Sequence, residues 1–212
     1  MALNEMPDDR QLALAPLEEN VDHVRGSPAG RLIIEYGDYE CPYSRQAFHA
    51  IQRVEQQLGG NMRFAFRHFP LTSIHPHALA AAAAAEAGAL QGRFWDMHEL
   101  LFHRQEALED SDLLGYAAQL GLDVAAFDRD RAKTAVGERI RRDVDSGLAS
   151  GQVLGTPTRP AGRAGPTSRP DRCAPAEGDQ KPSRSLTMIA VTRPGVITLL
   201  MTRMLFTPLG TP

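Results

Sequence analysis

IIEYGDYECPYSRQAF, residues 33–48, decides how the rest of the chain is read. Its first half is β-branched and aromatic, the composition of a strand, and its second half opens a helix at a cysteine. Cys41 would stand at the helix N-terminus, facing unpaired backbone N–H groups and the positive end of the helix dipole. Both favour thiolate over thiol, and the thiolate is the nucleophile. Pro42 suits the first helical turn, where its missing N–H is not needed. Ser44 lies one turn on, where its hydroxyl could donate to the Cys41 sulfur. The competing reading of the same spacing is a cysteine that is merely packed.

Outward from this stretch, apolar residues Phe48, Ile51, Val54 and Leu58 fall at helical spacing, and Gly59-Gly60 ends the helix. Residues 31–36 read as one strand and residues 62–66, alternating Met62, Phe64 and Phe66 with Arg63 and Ala65, as a second. A long helical region follows. Pro76 stands at its start, an alanine run has high helix propensity, and Phe94, Met97, His98, Leu101 and Phe102 share a helical face. Asp110 or Ser111 would cap a third helix, Asp123 a fourth, and Val136, Ile140, Val144 and Leu148 mark a fifth. Strand, helix, strand and then a helical block predict an α/β domain with a helical insertion.

Four pieces, EYGDYECPYS, FRHFPL, FWDMHELLF and GTPT, occur in the order and at roughly the spacing of DsbA-like thiol–disulfide oxidoreductases of the thioredoxin superfamily, which the chain thus resembles up to Thr158. The resemblance implies a thioredoxin-like fold with an inserted helical domain, incomplete at its C-terminal end. With composition it divides the chain into a loose segment 1–29 that holds a short ordered piece near Val21–Val24, a DsbA-like domain 30–158 with the helical insertion at about 75–150, and a tail 159–212. It implies that Cys41 is the attacking cysteine and that Pro42, Tyr43, Thr156 and Pro157 shape the substrate groove, Pro157 through a cis peptide. Glu35, six residues before Cys41, falls where the superfamily often buries an acid, and burial would raise its pKa and suit it to proton transfer.

Ser44 departs from the family's dithiol version, which has cysteine there. Thiol–disulfide exchange leaves a mixed disulfide that a second thiol resolves. Serine cannot do this, so Cys41 would act alone, with release by an external low-molecular-weight thiol such as glutathione. The expected function is monothiol disulfide exchange with protein or small-molecule thiols and disulfides, with no bound cofactor. Two alternatives stand beside it: a non-catalytic peptide-binding module, and a glutathione-dependent isomerase or transferase of the same fold.

Bulk properties narrow the field. A net charge of −3 gives no reason to expect nucleic acid as partner. No apolar run approaches the ~20 residues that span a bilayer, and residues 1–26 lack a secretion signal, so a cytoplasmic protein with no membrane partner is expected. His68, His75, His77, His98 and His103 show no recognised ligand spacing, and no metal site is assigned. Trp95 and Met97 read as core.

The tail breaks the pattern. It holds 8 of the 15 prolines and eight basic residues against three acidic. That composition predicts disorder over most of 159–212, with a hairpin over 186–206 as a substitute for the lost strands. A shift of reading frame after Thr158 is one hypothesis for its origin, and an unbroken frame in the transcript would refute it. Cys173, in this tail, is expected to be a second reduced thiol.

Overall fold

The computed structural model describes residues 14–150, 153 and 189–190. Thr156, Pro157, Cys173 and most of the proposed 186–206 hairpin lie outside the described residues. A mixed sheet carries strands in the order β1-β3-β2-β4: β1 is His23–Gly26, β2 Arg31–Gly37, β3 Met62–His68 and β4 Ile189–Ala190. β2 and β3 are parallel, with Ile33 opposite Phe64 and Glu35 opposite Phe66. Helix α1, Pro42–Leu58, makes the crossover that a parallel pair requires. It ends at Gly59, whose φ of 53° lets its N–H reach back to Glu55 O. β1 closes one edge of the sheet antiparallel to β3, and Ile189–Ala190 lies antiparallel to β2 at Ile34 and Glu35.

The period of two divides the sheet into two faces. Ile33, Met62, Phe64 and Phe66 join Phe48 and Ile51 of α1 and most of the helical block in the larger core. Ile34, Tyr36 and Ala65 face the other way, against Leu14, Phe69 and Val153. The helical block comprises α2 (Ala78–Leu90), α3 (Phe94–His103), α4 (Asp110–Gln119), α5 (Val124–Arg131) and α6 (Thr134–Ala149). α2 is buried around most of its circumference, which is why it is alanine-rich: small side chains let α3 close on it, and a Cβ on Gly88 would sit 3.1 Å from Met97 Cβ. The start of α2 differs from the sequence expectation. Pro76 lies in the preceding turn, and His77 occupies the N-cap. At α4 the cap is Glu109, in a reciprocal capping box with Asp112, rather than Asp110 or Ser111. Asp123 caps α5 as the sequence indicates, accepting from Ala126 N.

Residues 1–29, expected to be loose, contain an ordered part. Leu14 is buried, and Arg67 on β3 gathers the segment beneath the sheet. Its Nε and Nη2 donate to the two oxygens of Asp22, at 3.0 and 2.8 Å, in a fork that is almost fully buried. Its remaining donors reach Ala15 O, Pro16 O and the Tyr36 hydroxyl. The polar composition of the segment hid this, because backbone carbonyls supply much of the binding.

Candidate active site

β2 leaves the sheet at Gly37, and four residues later the chain enters α1. Gly37 is required by close approach, since a Cβ there would run into the Phe66 ring. The turn that follows is built by Asp38. Its carbonyl accepts from Cys41 N at 3.1 Å. Its N–H donates to Ser44 Oγ at 3.1 Å. One carboxylate oxygen accepts from Glu40 N, and the other from Leu71 N and His75 Nδ1, at 2.8, 2.9 and 2.7 Å respectively. Glu40 repeats the pattern, accepting from His77 N and Nδ1. From below, Gln105 Nε2 donates to Tyr39 O and Cys41 O, at 2.7 and 2.8 Å.

Cys41 is the N-cap of α1, with extended φ and ψ of −78° and 121° and Pro42 in the first turn. It is buried, as is Ser44, while Pro42 is exposed and Tyr43 half-buried. These four contiguous residues are therefore brought to one helix mouth. Ser44 Oγ accepts from the backbone N–H of Asp38 in the turn.

Glu35 is fully buried on the larger-core face of β2. Neither carboxylate oxygen has a hydrogen-bond partner among the described residues. Burial pushes its pKa up to about 8, against a small opposing pull from Arg25. A Cβ on Gly37 would lie 3.2 Å from Glu35 Oε1, so the carboxyl leans toward the end of β2 that leads into the Cys41 turn.

The histidines divide by environment. His75 and His77 are held above the ordinary imidazole range, first by their hydrogen bonds to Asp38 and Glu40. Both strap the Cys41 turn to the loop before α2. His98 is fully buried among aromatic rings, bonded through Nδ1 to the Tyr39 hydroxyl at 3.0 Å, and burial drives its pKa well down. His68, at the end of β3, shares Glu86 of α2 with His23 of β1.

Sequence reasoning singled out Cys41, Ser44 and Glu35, and passed over Asp38, Gln105 and Glu86, which the structure places around them or in the neighbouring histidine cluster. Only Asp38 left a local signal. An Asp two residues before an N–H it can bind is an Asx turn, and it stands at the start of the DYEC turn.

A family model described as DSBA-like thioredoxin domain matches residues 32–166. The chain belongs to this family. The match runs a few residues beyond Thr158, where the sequence resemblance was read to stop. Among solved structures, a thioredoxin-like oxidoreductase from Silicibacter pomeroyi is 27% identical, covering 63% of this chain and 75% of its own, with a TM-score of 0.56. The alpha-DsbA1 protein of Wolbachia pipientis is 25% identical, covering 66% and 73%, with a TM-score of 0.55. The fold is thus that of the DSBA-like thioredoxin family, a small mixed sheet with an inserted block of helices. A different kind of relative is more similar in sequence. The Na(+)/H(+) antiporter NhaA 1 of Salinispora arenicola is 45% identical over 146 residues, 68% of this chain but 22% of the antiporter. The protein of the same name from Mycolicibacterium gilvum is 47% identical over 118 residues, 55% of this chain and 19% of its own. The chain therefore spans about a fifth of these curated relatives. None of the described helices is long and apolar enough to cross a membrane.

Proposed function

We propose that this DSBA-like domain exchanges disulfides through Cys41 alone. The observation that supports it is the N-cap position of Cys41, ahead of Pro42, in a turn pinned by Asp38 and Gln105. The helix mouth favours the thiolate, while burial opposes it. The Cys41 thiolate attacks one sulfur of a disulfide. The S–S bond breaks, a mixed disulfide with Cys41 forms, and the other sulfur leaves as a thiolate. An external small thiol such as glutathione, as its thiolate, then attacks the mixed disulfide and regenerates Cys41. Ser44 serves as a donor to the sulfur and resolves nothing. Glu35 relays protons between the sulfur region and solvent, its pKa of about 8 lying near working pH. Pro42 and Tyr43, with Thr156 and Pro157, form the groove for an extended substrate. A reducing compartment such as the cytoplasm would supply the resolving thiol.

The test is the pH dependence of Cys41 alkylation, followed by turnover of a glutathione mixed disulfide on a peptide. Alkylation should reach its midpoint below the ordinary thiol value of about 8.5. Without added thiol, one leaving thiol should be released per chain, and added thiol should restore cycling. Cys41→Ala should abolish both. Turnover unchanged in Cys41→Ala overturns the role of Cys41, and an ordinary midpoint with no turnover overturns the enzyme reading in favour of a peptide-binding module. Turnover in Cys41→Ser would favour the glutathione-dependent isomerase or transferase.

A second reading rests on the antiporter-named relatives, which are 45% and 47% identical where the Silicibacter oxidoreductase is 27%. On that reading the domain works beside a membrane ion transporter, and a cysteine of that transporter is its disulfide partner. Because Ser44 leaves the mixed disulfide unresolved, the chain itself is the trap. Mass spectrometry of its disulfide adducts, taken from cells quenched with acid, distinguishes a transporter cysteine from soluble proteins or small thiols.

A further inference from the structure

His23, His68 and Glu86 come from three separate elements, β1, β3 and α2, and converge at one point. Glu86 Oε1 lies 2.7 Å from His23 Nε2 and 2.8 Å from His68 Nε2. The three ligating atoms all lie within 4.8 Å of one another. We propose that these residues form a site for a divalent transition metal, zinc being the ion best matched to two imidazoles and one carboxylate.

The geometry is close to what zinc needs. Ligand atoms about 2.0–2.2 Å from a tetrahedral ion stand roughly 3.3 Å apart. Glu86 Oε1 must retreat by about half an ångström from each nitrogen, within the reach of small χ adjustments in a glutamate. The imidazole of His23 is fixed by stacking on Phe94, with ring centroids 3.4 Å apart. His68 is locked by full burial at the end of β3, its N–H bonded to Asp143 at 3.0 Å. Preorganised ligands lower the ordering cost of binding. The His23 side chain keeps 16% of its surface in solvent, which gives the ion an entry and leaves the fourth position for water.

Hydrogen bonding alone explains two short contacts to one carboxylate oxygen, so the costs of the metal reading matter. Each imidazole must carry its proton on Nδ1 to present Nε2 to a metal. His68 Nδ1 is buried and has no partner among the described residues. A ligand histidine normally donates this N–H to an acceptor, and losing such a partner costs roughly 10–100-fold in affinity. Arg139, ion-paired with Asp143, also places a positive charge near His23. The site therefore binds more weakly than a closed structural zinc site, and it ties the edge strand to the helical insertion without holding the fold together. Cys41 is not among the three grouped residues, so this inference stands apart from the disulfide chemistry.

The experiment is equilibrium dialysis of the intact reduced chain against Zn²⁺, with Co²⁺ as a spectroscopic probe. One ion per chain should bind, and the Co²⁺ form should show d–d absorption without a thiolate charge-transfer band. His23→Ala, at a partly exposed position, and Glu86→Gln should each weaken binding at least tenfold. His49→Ala and His103→Ala, at a second pair of histidines with ring centroids 5.9 Å apart, should leave it unchanged. No saturable binding by the intact chain overturns the proposal. So does binding that survives His23→Ala, or a Co²⁺ spectrum dominated by thiolate.

Discussion

Two buried charges sit on neighbouring strands of one sheet and have opposite fates. Arg67 on β3 stands opposite Tyr36, and Glu35 on β2 stands opposite Phe66. Arg67 faces the smaller core, where all five of its donors find acceptors. Glu35 faces the larger core, where neither oxygen has a partner among the described residues. A buried ion is tolerated when its hydrogen bonds are complete, and otherwise it gives up its charge. Arg67 stays charged, and Asp22 beside it remains ionised below the usual carboxylate range, since the Arg67 pairing outweighs the upward push of burial. Glu35 answers by staying protonated to about pH 8. The first arrangement is scaffold, whereas the second is a cost borne on the strand that leads into the Cys41 turn.

Breaking the complete network should have the largest effect. Arg67→Ala strips the buried fork from Asp22, leaving it Glu18 N at 2.8 Å and the more distant Arg142 at 3.6 Å, and frees Ala15 O and Pro16 O, so it should destabilise the domain by about 3–5 kcal/mol in urea denaturation. Residues near Leu14 should lose hydrogen-exchange protection first. If Arg67→Ala costs under about 1 kcal/mol, the buried pair has no more weight than a surface one. The next effect is a slope. Glu35 has its folded pKa raised above the unfolded value of 4.5, so its contribution is fully present below pH 4.5. It is lost as pH rises toward about 8, because the unfolded chain releases the proton first. Each pH unit inside that window should cost about 1.4 kcal/mol, and Glu35→Gln should flatten the slope. A slope unchanged in Glu35→Gln would remove Glu35 as its source.

How much of this was readable beforehand follows from the range over which each interaction acts. β2, β3, α1 and the later helices were legible because period and capping are local. Asp123 capping α5 is a case in point. Cys41 and Glu35 were legible through one contiguous stretch and its family resemblance. Gln105 was not, since it reaches Cys41 across 64 residues, and an isolated glutamine on a loop carries no pattern. His23 and Glu86 meet across 63 residues, and a single glutamate within an alanine run carries no local pattern. Near β1 only a short ordered piece at Val21–Val24 was legible, not a strand, because its partner, β3, lies some forty residues on.

The contrast between scaffold and site can be sharpened within the Cys41 turn. Gln105→Ala strips a donor from Tyr39 O and one from Cys41 O, which keeps Arg45 N at 3.2 Å, and should cost roughly 1–3 kcal/mol. Because one of them is Cys41 O, the rate and pH midpoint of Cys41 alkylation should also change. A stability loss with an unaltered alkylation profile would make Gln105 scaffold alone. Ser44→Cys adds a second thiol one turn from Cys41, and without an external thiol should raise the release from one to two thiols per chain, leaving the two sulfurs joined in an intramolecular disulfide that added thiol must reduce before the next cycle. No gain there would mean that the first turn of α1 cannot bring the two sulfurs together.

The smallest effect belongs to a cap far from the turn. Asp123 Oδ1 accepts from Ala126 N at 2.9 Å at the exposed start of α5. Asp123→Ala should cost about 1 kcal/mol, the ordinary value of an N-cap. α5 is anchored by the fully buried Phe127, so the helix should fray at its first turn rather than detach. Cys41 alkylation should then be untouched, because no hydrogen bond of the turn involves α5. If it shifts, the helical insertion transmits strain from α5 through α2 to the His75 and His77 straps. The line drawn here between the satisfied scaffold and the tuned site would then have to include the insertion on the side of the site.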